Sequence, residues 1–179
     1  MADASMFTDL VLGVAQTGKT TLMINLSQDW AAKFQHQLWL SPVDPRCPRY
    51  AQRCRSWGGM KRLAMTRSPC LLFVDEVQLR LEDGFLDRLA ETRAHVLISA
   101  VMATQRPQAL SRNSGIRDLS RYFYLFRTTG KALEWIKEYV TLSDEQIRDI
   151  ETLPDLTCYR YDVAAARIDE RIVVRRIEC

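Results

Sequence analysis

A chain of 179 residues with 47% hydrophobic and 26% charged side chains has the composition of an ordinary globular protein and enough length to bury one full core. Its 25 basic and 22 acidic residues leave a net charge of +3, too small by itself to name a polyanionic partner. Its apolar runs fall far short of the roughly 20 residues that cross a bilayer, and no basic, apolar leader opens it, so the expectation is a single cytoplasmic domain without a transmembrane segment.

In chain order, residues 10–13 predict a short buried strand. Leu22, Leu26, Trp30 and Phe34 then recur at helical spacing over residues 19–34. Strand, glycine-bearing loop, helix is therefore the opening. Residues 36–40 predict a second strand, stopped by Pro42 and Pro45. A loop and a helix follow through a basic segment, where Arg46, Arg49, Arg53, Arg55, Lys61, Arg62 and Arg67 stand with no acid between them and with Tyr50 and Trp57 interleaved. That is a candidate phosphate-contacting stripe; a solvated arginine-rich loop is the plain alternative.

Ser68 and Pro69 end the stripe, and residues 70–74 form a continuous apolar run of the kind shown by strands covered on both faces. It stops at Asp75 and Glu76. Residues 86–92 fit a helix, and residues 96–103 another buried strand that runs into Thr104, Gln105, Arg106 and Pro107. An aromatic-rich strand over 119–126 and a helix over 130–139, with Leu133, Ile136 and Val140 aligned, come next. Ser143 and Gln146 have the spacing of a capping box, and the helix they open stops before Pro154. Residues 157–161 and 167–174 close the chain as two strands, a hairpin or sheet edge. The alternation predicts an α/β fold, a mostly parallel sheet flanked by helices, in which ligands bind beyond the carboxyl ends of the strands, where the polar clusters fall.

Gly13-Val14-Ala15-Gln16-Thr17-Gly18-Lys19-Thr20 matches G-x-x-x-x-G-K-[ST] at every required position. Glycines let backbone N–H groups curl around phosphate oxygens, the lysine places a cation on the β and γ phosphates, and the threonine hydroxyl faces magnesium. The predicted ligands are ATP and Mg2+, held by Gly13, Gln16, Thr17, Gly18, Lys19, Thr20 and Thr21. Asp75, at the end of a buried strand, is the candidate to hold the metal together with Thr20, and Glu76 the candidate to polarise the attacking water. Gln105, at the tip of the next strand, is placed to sense the γ-phosphate or that water. A solvated acidic strand end and a functionless polar strand end are the bland readings of these two clusters. The five cysteines, Cys47, Cys54, Cys70, Cys158 and Cys179, form no close pair and read as reduced thiols; Cys47 and Cys54 with His36 lack a fourth metal ligand.

Together the P-loop, Leu71-Leu72-Phe73-Val74-Asp75-Glu76 and, above all, Ala103-Thr104-Gln105-Arg106-Pro107 resemble the FtsK/HerA superfamily of DNA-translocating ATPases, closest to its small viral genome-packaging members of the tectivirus type. The resemblance extends through residues 121–139 and 142–161, whereas 41–69 match nothing in the family. It implies a RecA-like P-loop core of the additional-strand class, with its C-terminal strands at the sheet edge. It also implies a homo-oligomeric ring, usually a hexamer, acting on double-stranded DNA, with an arginine reaching each site from the neighbouring subunit. Arg93 is the candidate finger, with Arg88 and Arg106 as alternatives and an exposed helix-end charge as the bland reading. The barrel, DNA-orienting and membrane segments of larger members are absent from the sequence. A packaging motor in a host cytoplasm or virion, with capsid-vertex or membrane proteins as possible further partners, is the leading expectation. A cellular or conjugative translocase and a nucleotide-dependent assembly switch that moves no DNA are the rivals.

Overall fold

The structure, a computed structural model, describes residues 6–42, 46–81, 84–112 and 114–176, leaving aside the side chains of residues 94, 111, 112 and 114. The readings that concern Pro45, Cys179 and the first five residues lie outside the described residues. Apolar runs become buried strands: β1 (Thr8–Leu12), β4 (Cys70–Val74) and β5 (Ile98–Thr104) along their whole length, β2 (His36–Leu40) and β6 (Tyr122–Phe126) in all but their half-buried first residues. A two-residue strand β3 (Gln52–Arg53) and the closing strands β7 (Thr157–Asp162) and β8 (Arg167–Val173) complete an eight-stranded sheet of order β3-β2-β4-β5-β1-β6-β7-β8. Strands β1 to β6 are mutually parallel; β7 and β8 join as antiparallel neighbours at one edge.

Because successive side chains of a strand face opposite ways, β1 sends Leu10 and Leu12 into one core and Val11 into another. The first core lies under α2 (Trp57–Thr66), α3 (Phe85–Val96), α5 (Gly130–Tyr139) and α6 (Asp144–Thr152). The second lies under α1 (Lys19–Asp29) and an aromatic group of Phe7, Trp30 and Phe34. A short helix α4 (Ser114–Asp118) bridges β5 and β6. The capping box forms as its spacing requires: Gln146 N–H donates to Ser143 Oγ at 3.2 Å and Ser143 N–H to Gln146 Oε1 at 2.9 Å.

Several boundaries move from their sequence positions. Helix α1 ends at Asp29 rather than Phe34, because tighter bonds from Ala31 N–H to Gln28 O and from Lys33 N–H to Trp30 O turn the chain there. Trp30 and Phe34 still pack in the core, so their spacing recorded burial and not helix length. Helix α3 continues to Val96, and Leu97, left-handed at φ 52°, separates it from β5; one apolar run had hidden a helix end and a strand start. Leu119 is 37% exposed and precedes β6 rather than belonging to it.

At the amino end of β1, Asp9 is fully buried. Its carboxylate accepts from Arg121 Nη2 at 2.7 Å, Arg121 Nε at 3.2 Å and Tyr122 N–H at 3.3 Å, while the guanidinium stacks 3.9 Å from the Phe7 ring. Burial raises the Asp9 pKa, against the pull of Arg121. An acid whose folded-state pKa is raised binds its proton more tightly when folded, so loss of the arginine is felt most when Asp9 is ionised. Arg121→Met should cost about 2–3 kcal/mol at neutral pH, less than for a fully enclosed pair because Arg121 is a third exposed. The deficit should shrink as pH falls through the elevated Asp9 pKa toward 3.8, in thermal melts of both proteins across that range.

Candidate active site

Parallel pairing brings the carboxyl ends of β1, β2, β4, β5 and β6 to a single sheet edge. The loop from Gly13 to Thr20 leaves β1 there. Gly18 is the N-cap of α1 at φ 110°, no side chain caps the helix and its first turn carries no acid, so its free N–H groups and positive dipole end face outward. Val14 N–H donates to Arg127 O at 3.0 Å, and Thr17 Oγ1 to Val14 O at 3.0 Å, which hold the loop in its curl. Lys19 is buried, its Nζ donating to Gly13 O at 2.9 Å and Val14 O at 2.7 Å. Burial lowers the Lys19 pKa, with Glu76 and Asp75 opposing. Gln16 is exposed at the loop tip with φ 63°, Thr17 is buried beneath it, and Thr21 sits inside α1, its carbonyl accepting from Asn25.

Asp75 and Glu76 leave β4 beside this loop, both buried. Asp75 Oδ2 accepts from Ser41 Oγ at 3.0 Å and from Thr20 Oγ1 at 3.3 Å, and Asp75 Oδ1 accepts from Glu76 N–H at 3.0 Å. Burial raises the Asp75 pKa; the Ser41 hydrogen bond opposes it and the Glu76 charge adds to it. Glu76 is left-handed at φ 52°, ψ 49°, a conformation costing an ordinary residue on the order of 1 kcal/mol and kept where surroundings over-determine it. Here both carboxylate oxygens are held: Gln105 Nε2 donates to one and Gln78 Nε2 to the other. Thr104 Oγ1 donates to Gln78 Oε1 at 2.6 Å and accepts from Arg106 N–H at 2.9 Å, so the tip of β5 sets the acid through two carboxamides.

The structure thus joins Lys19, Thr20, Asp75, Glu76 and Gln105 in one cluster. Arg93 stands apart from it. On the last turn of α3, its Nε donates to Met6 O at 3.1 Å and its Nη1 to Ala90 O, beside the amino end of β1 and opposite the P-loop edge. Arg88 lies nearer the start of the same helix, and Arg106 is exposed just past Gln105. Arg49, Arg53, Arg55 and Arg62 are exposed on and around β3 and α2, at the far sheet edge. Among the described residues no group of three or more His, Cys, Asp or Glu is arranged to hold a metal, and Cys47 instead points its thiol to Ala51 O at 3.4 Å.

Sequence reading missed Ser41 and Gln78. Ser41 had a faint signal, a polar residue immediately past a buried strand. Gln78 had none, because its role depends on the turn of residues Val77–Arg80 folding under β5.

No protein-family model and no curated protein matches the chain. Solved structures do. The B204 DNA-packaging ATPase of Sulfolobus turreted icosahedral virus superposes with a TM-score of 0.72 at 18% identity, covering 98% of this chain and 100% of that one. The fold is that of the B204 packaging ATPases. A B204 from Sulfolobus turreted icosahedral virus 2, solved with AMPPCP, gives 0.67 at 17% identity over 94% of this chain and 97% of that one. The type VII secretion ATPase EccC of Thermomonospora curvata gives 0.66 at 15% identity over 97% of this chain but only 24% of its own. VirB4 of Thermoanaerobacter pseudethanolicus gives 0.52 at 15% identity over 68% of this chain and 35% of that one, and at these identities the likeness is one of fold. Among the described residues, no helix is long and apolar enough to cross a membrane.

Proposed function

We propose that this protein is an ATP-driven motor that moves double-stranded DNA, and that it packages viral DNA into a preformed capsid as a ring of identical subunits. The observation that carries the ATPase part is the Glu76 clamp: a buried, conformationally strained carboxylate aimed by two carboxamides, next to a P-loop and a buried Asp75. The motor and packaging parts draw support from the name and fold of B204, whose full length the chain matches.

The residues present fit a magnesium nucleotide. Lys19 is one buried ammonium among two buried carboxylates, Asp75 and Glu76, an imbalance that a divalent cation would offset. Thr20 Oγ1 and the Asp75 carboxylate would hold the ion, which supplies charge neutralisation at the β and γ phosphates. Lys19 carries its ammonium to the phosphates in exchange for the Gly13 and Val14 carbonyls that hold it now. Glu76 accepts a hydrogen bond from the attacking water and orients it in line, a role that needs an acceptor locked in direction. Gln105 shares Glu76, so its carboxamide reports to β5 whether the γ-phosphate is present. Glu76→Gln should retain nucleotide within about threefold of the parent Kd and lose at least about a hundredfold in turnover. Full turnover in that variant, measured by phosphate release, removes Glu76 from the mechanism.

For DNA, the exposed arginines Arg49, Arg55 and Arg62 belong to a stretch of sequence without an intervening acid, suited to phosphates rather than base edges. DNA should stimulate ATP turnover, and replacing the three by Gln should flatten the salt dependence of DNA binding by about one in log-log slope for each arginine that meets a phosphate. Turnover indifferent to DNA but raised by a protein partner favours the assembly switch instead, a reading that the fold shared with EccC, solved with a signal-sequence peptide, keeps in view.

Arg93 as a finger acts in trans, since it lies away from its own P-loop and must release Met6 O and Ala90 O to reach a neighbour. Mixing Arg93→Ala subunits with Lys19→Ala subunits, each inactive alone, should restore part of the ATPase activity at mixed interfaces. No restoration in subunits shown to exchange moves the assignment to Arg88 or Arg106.

A further inference from the structure

The loop between α6 and β7 touches the phosphate-binding segment from outside. Leu156 N–H donates to Thr17 O at 2.8 Å, and Leu156 O accepts from Val174 N–H, just past β8, at 2.7 Å. Leu156 is left-handed, φ 61°, a conformation disfavoured for a residue with a side chain. The approach is close: a Cβ placed on Gly18 would lie 2.8 Å from Leu156 Cδ2 and 3.2 Å from Leu156 Cα. Arg127 grips the same loop, donating to Leu153 O at 3.3 Å and pairing with Asp155 at 2.8 Å.

We propose that Leu156 is a positioning residue of the nucleotide site, its N–H fixing the Thr17–Gly18 peptide plane so that the Gly18 N–H faces the phosphates. In a trans peptide the C=O and the following N–H point in opposite directions, and among the described residues only Ser68–Pro69 is cis. Drawing Thr17 O outward to Leu156 therefore turns the Gly18 N–H into the loop. The first peptide of the loop shows the same lever. Val14 N–H is drawn outward to Arg127 O, and Gly13 O points inward, where Lys19 Nζ meets it at 2.9 Å. Topology makes the contact possible: β7 runs antiparallel to β6, so it starts at the edge where β1 ends, and β8 returns to that edge. The C-terminal hairpin thus acts on the phosphate site through one peptide plane. This inference rests on the P-loop binding a nucleotide.

The test replaces Leu156 by its α-hydroxy analogue, which turns the amide into an ester, removes the N–H and keeps the side chain. ADP and AMP binding to the full chain are then measured by calorimetry with magnesium. The loss of one hydrogen bond should weaken ADP about three- to tenfold, while AMP, which lacks the β-phosphate, changes less than about twofold. An unchanged ADP-to-AMP affinity ratio in the folded ester variant overturns the proposal, as does an equal loss for both ligands, which signals general loosening. Should the ester variant not fold, Arg127→Met, a partly exposed side chain that grips the same loop, decides in its place: a lowered ratio supports the proposal and an unchanged one overturns it. If the unmodified protein binds no ADP, the nucleotide reading itself fails and this inference with it; if only the ratio stays unchanged, the nucleotide reading stands.

Discussion

Parallel hydrogen bonding around β1 is the constraint on which the rest depends. β1 sits between β5 and β6, and β5 between β1 and β4, so the ends of four separate strands are held about 5 Å from one neighbour to the next by backbone bonds alone. A parallel strand needs a crossover to return, and each crossover here spends its polar residues at one edge: the P-loop after β1, Ser41 after β2, Asp75 and Glu76 after β4, Gln105 after β5, Arg127 after β6. The two antiparallel strands do not break this rule. They bring Leu156 and Val174 to the same edge from the opposite direction.

The second organising fact is electrostatic. Lys19, Asp75 and Glu76 are all buried in one cleft, and each is stabilised by hydrogen bonds rather than by a close ion pair. A buried polar group without a partner costs about 1–3 kcal/mol, which explains why Ser41, Gln78 and Gln105 converge there. Lys19 and Asp75 are thus met by neutral carbonyl, hydroxyl and amide partners, and Glu76 is held in direction by two carboxamides. Each buried charge is satisfied as it stands, and in the proposed reading a magnesium nucleotide would draw on Lys19, Thr20 and Asp75 while the two carboxamides keep Glu76 aimed.

At the other end of β1, Asp9 and Arg121 make the contrast. There the acid is met by a guanidinium, two of whose nitrogens donate to it, stacked on Phe7. One strand therefore meets a structural charge pair at its amino end and leads to the Lys19, Asp75 and Glu76 cluster at its carboxyl end.

The sequence alone determined the parts that are local in the chain. Gly13 to Thr20 carries its signal in its own glycine spacing, the Ser143 to Gln146 cap is closed within four residues, and the buried strands carry theirs in unbroken apolar runs. It could also place Asp75, Glu76 and Gln105 at strand ends, because a strand covered on both faces ends where apolar residues do. Only the tertiary structure decided what those ends touch. Gln78 meets Glu76 because a turn folds under β5; Leu156 meets Thr17 because β7 runs backward; Arg93 faces away from its own P-loop because α3 ends at the edge where β5 begins. Helix ends at Asp29 and Val96 were hidden for a related reason: apolar spacing reports which residues are buried, and burial continues through a turn after the helical hydrogen bonds have stopped.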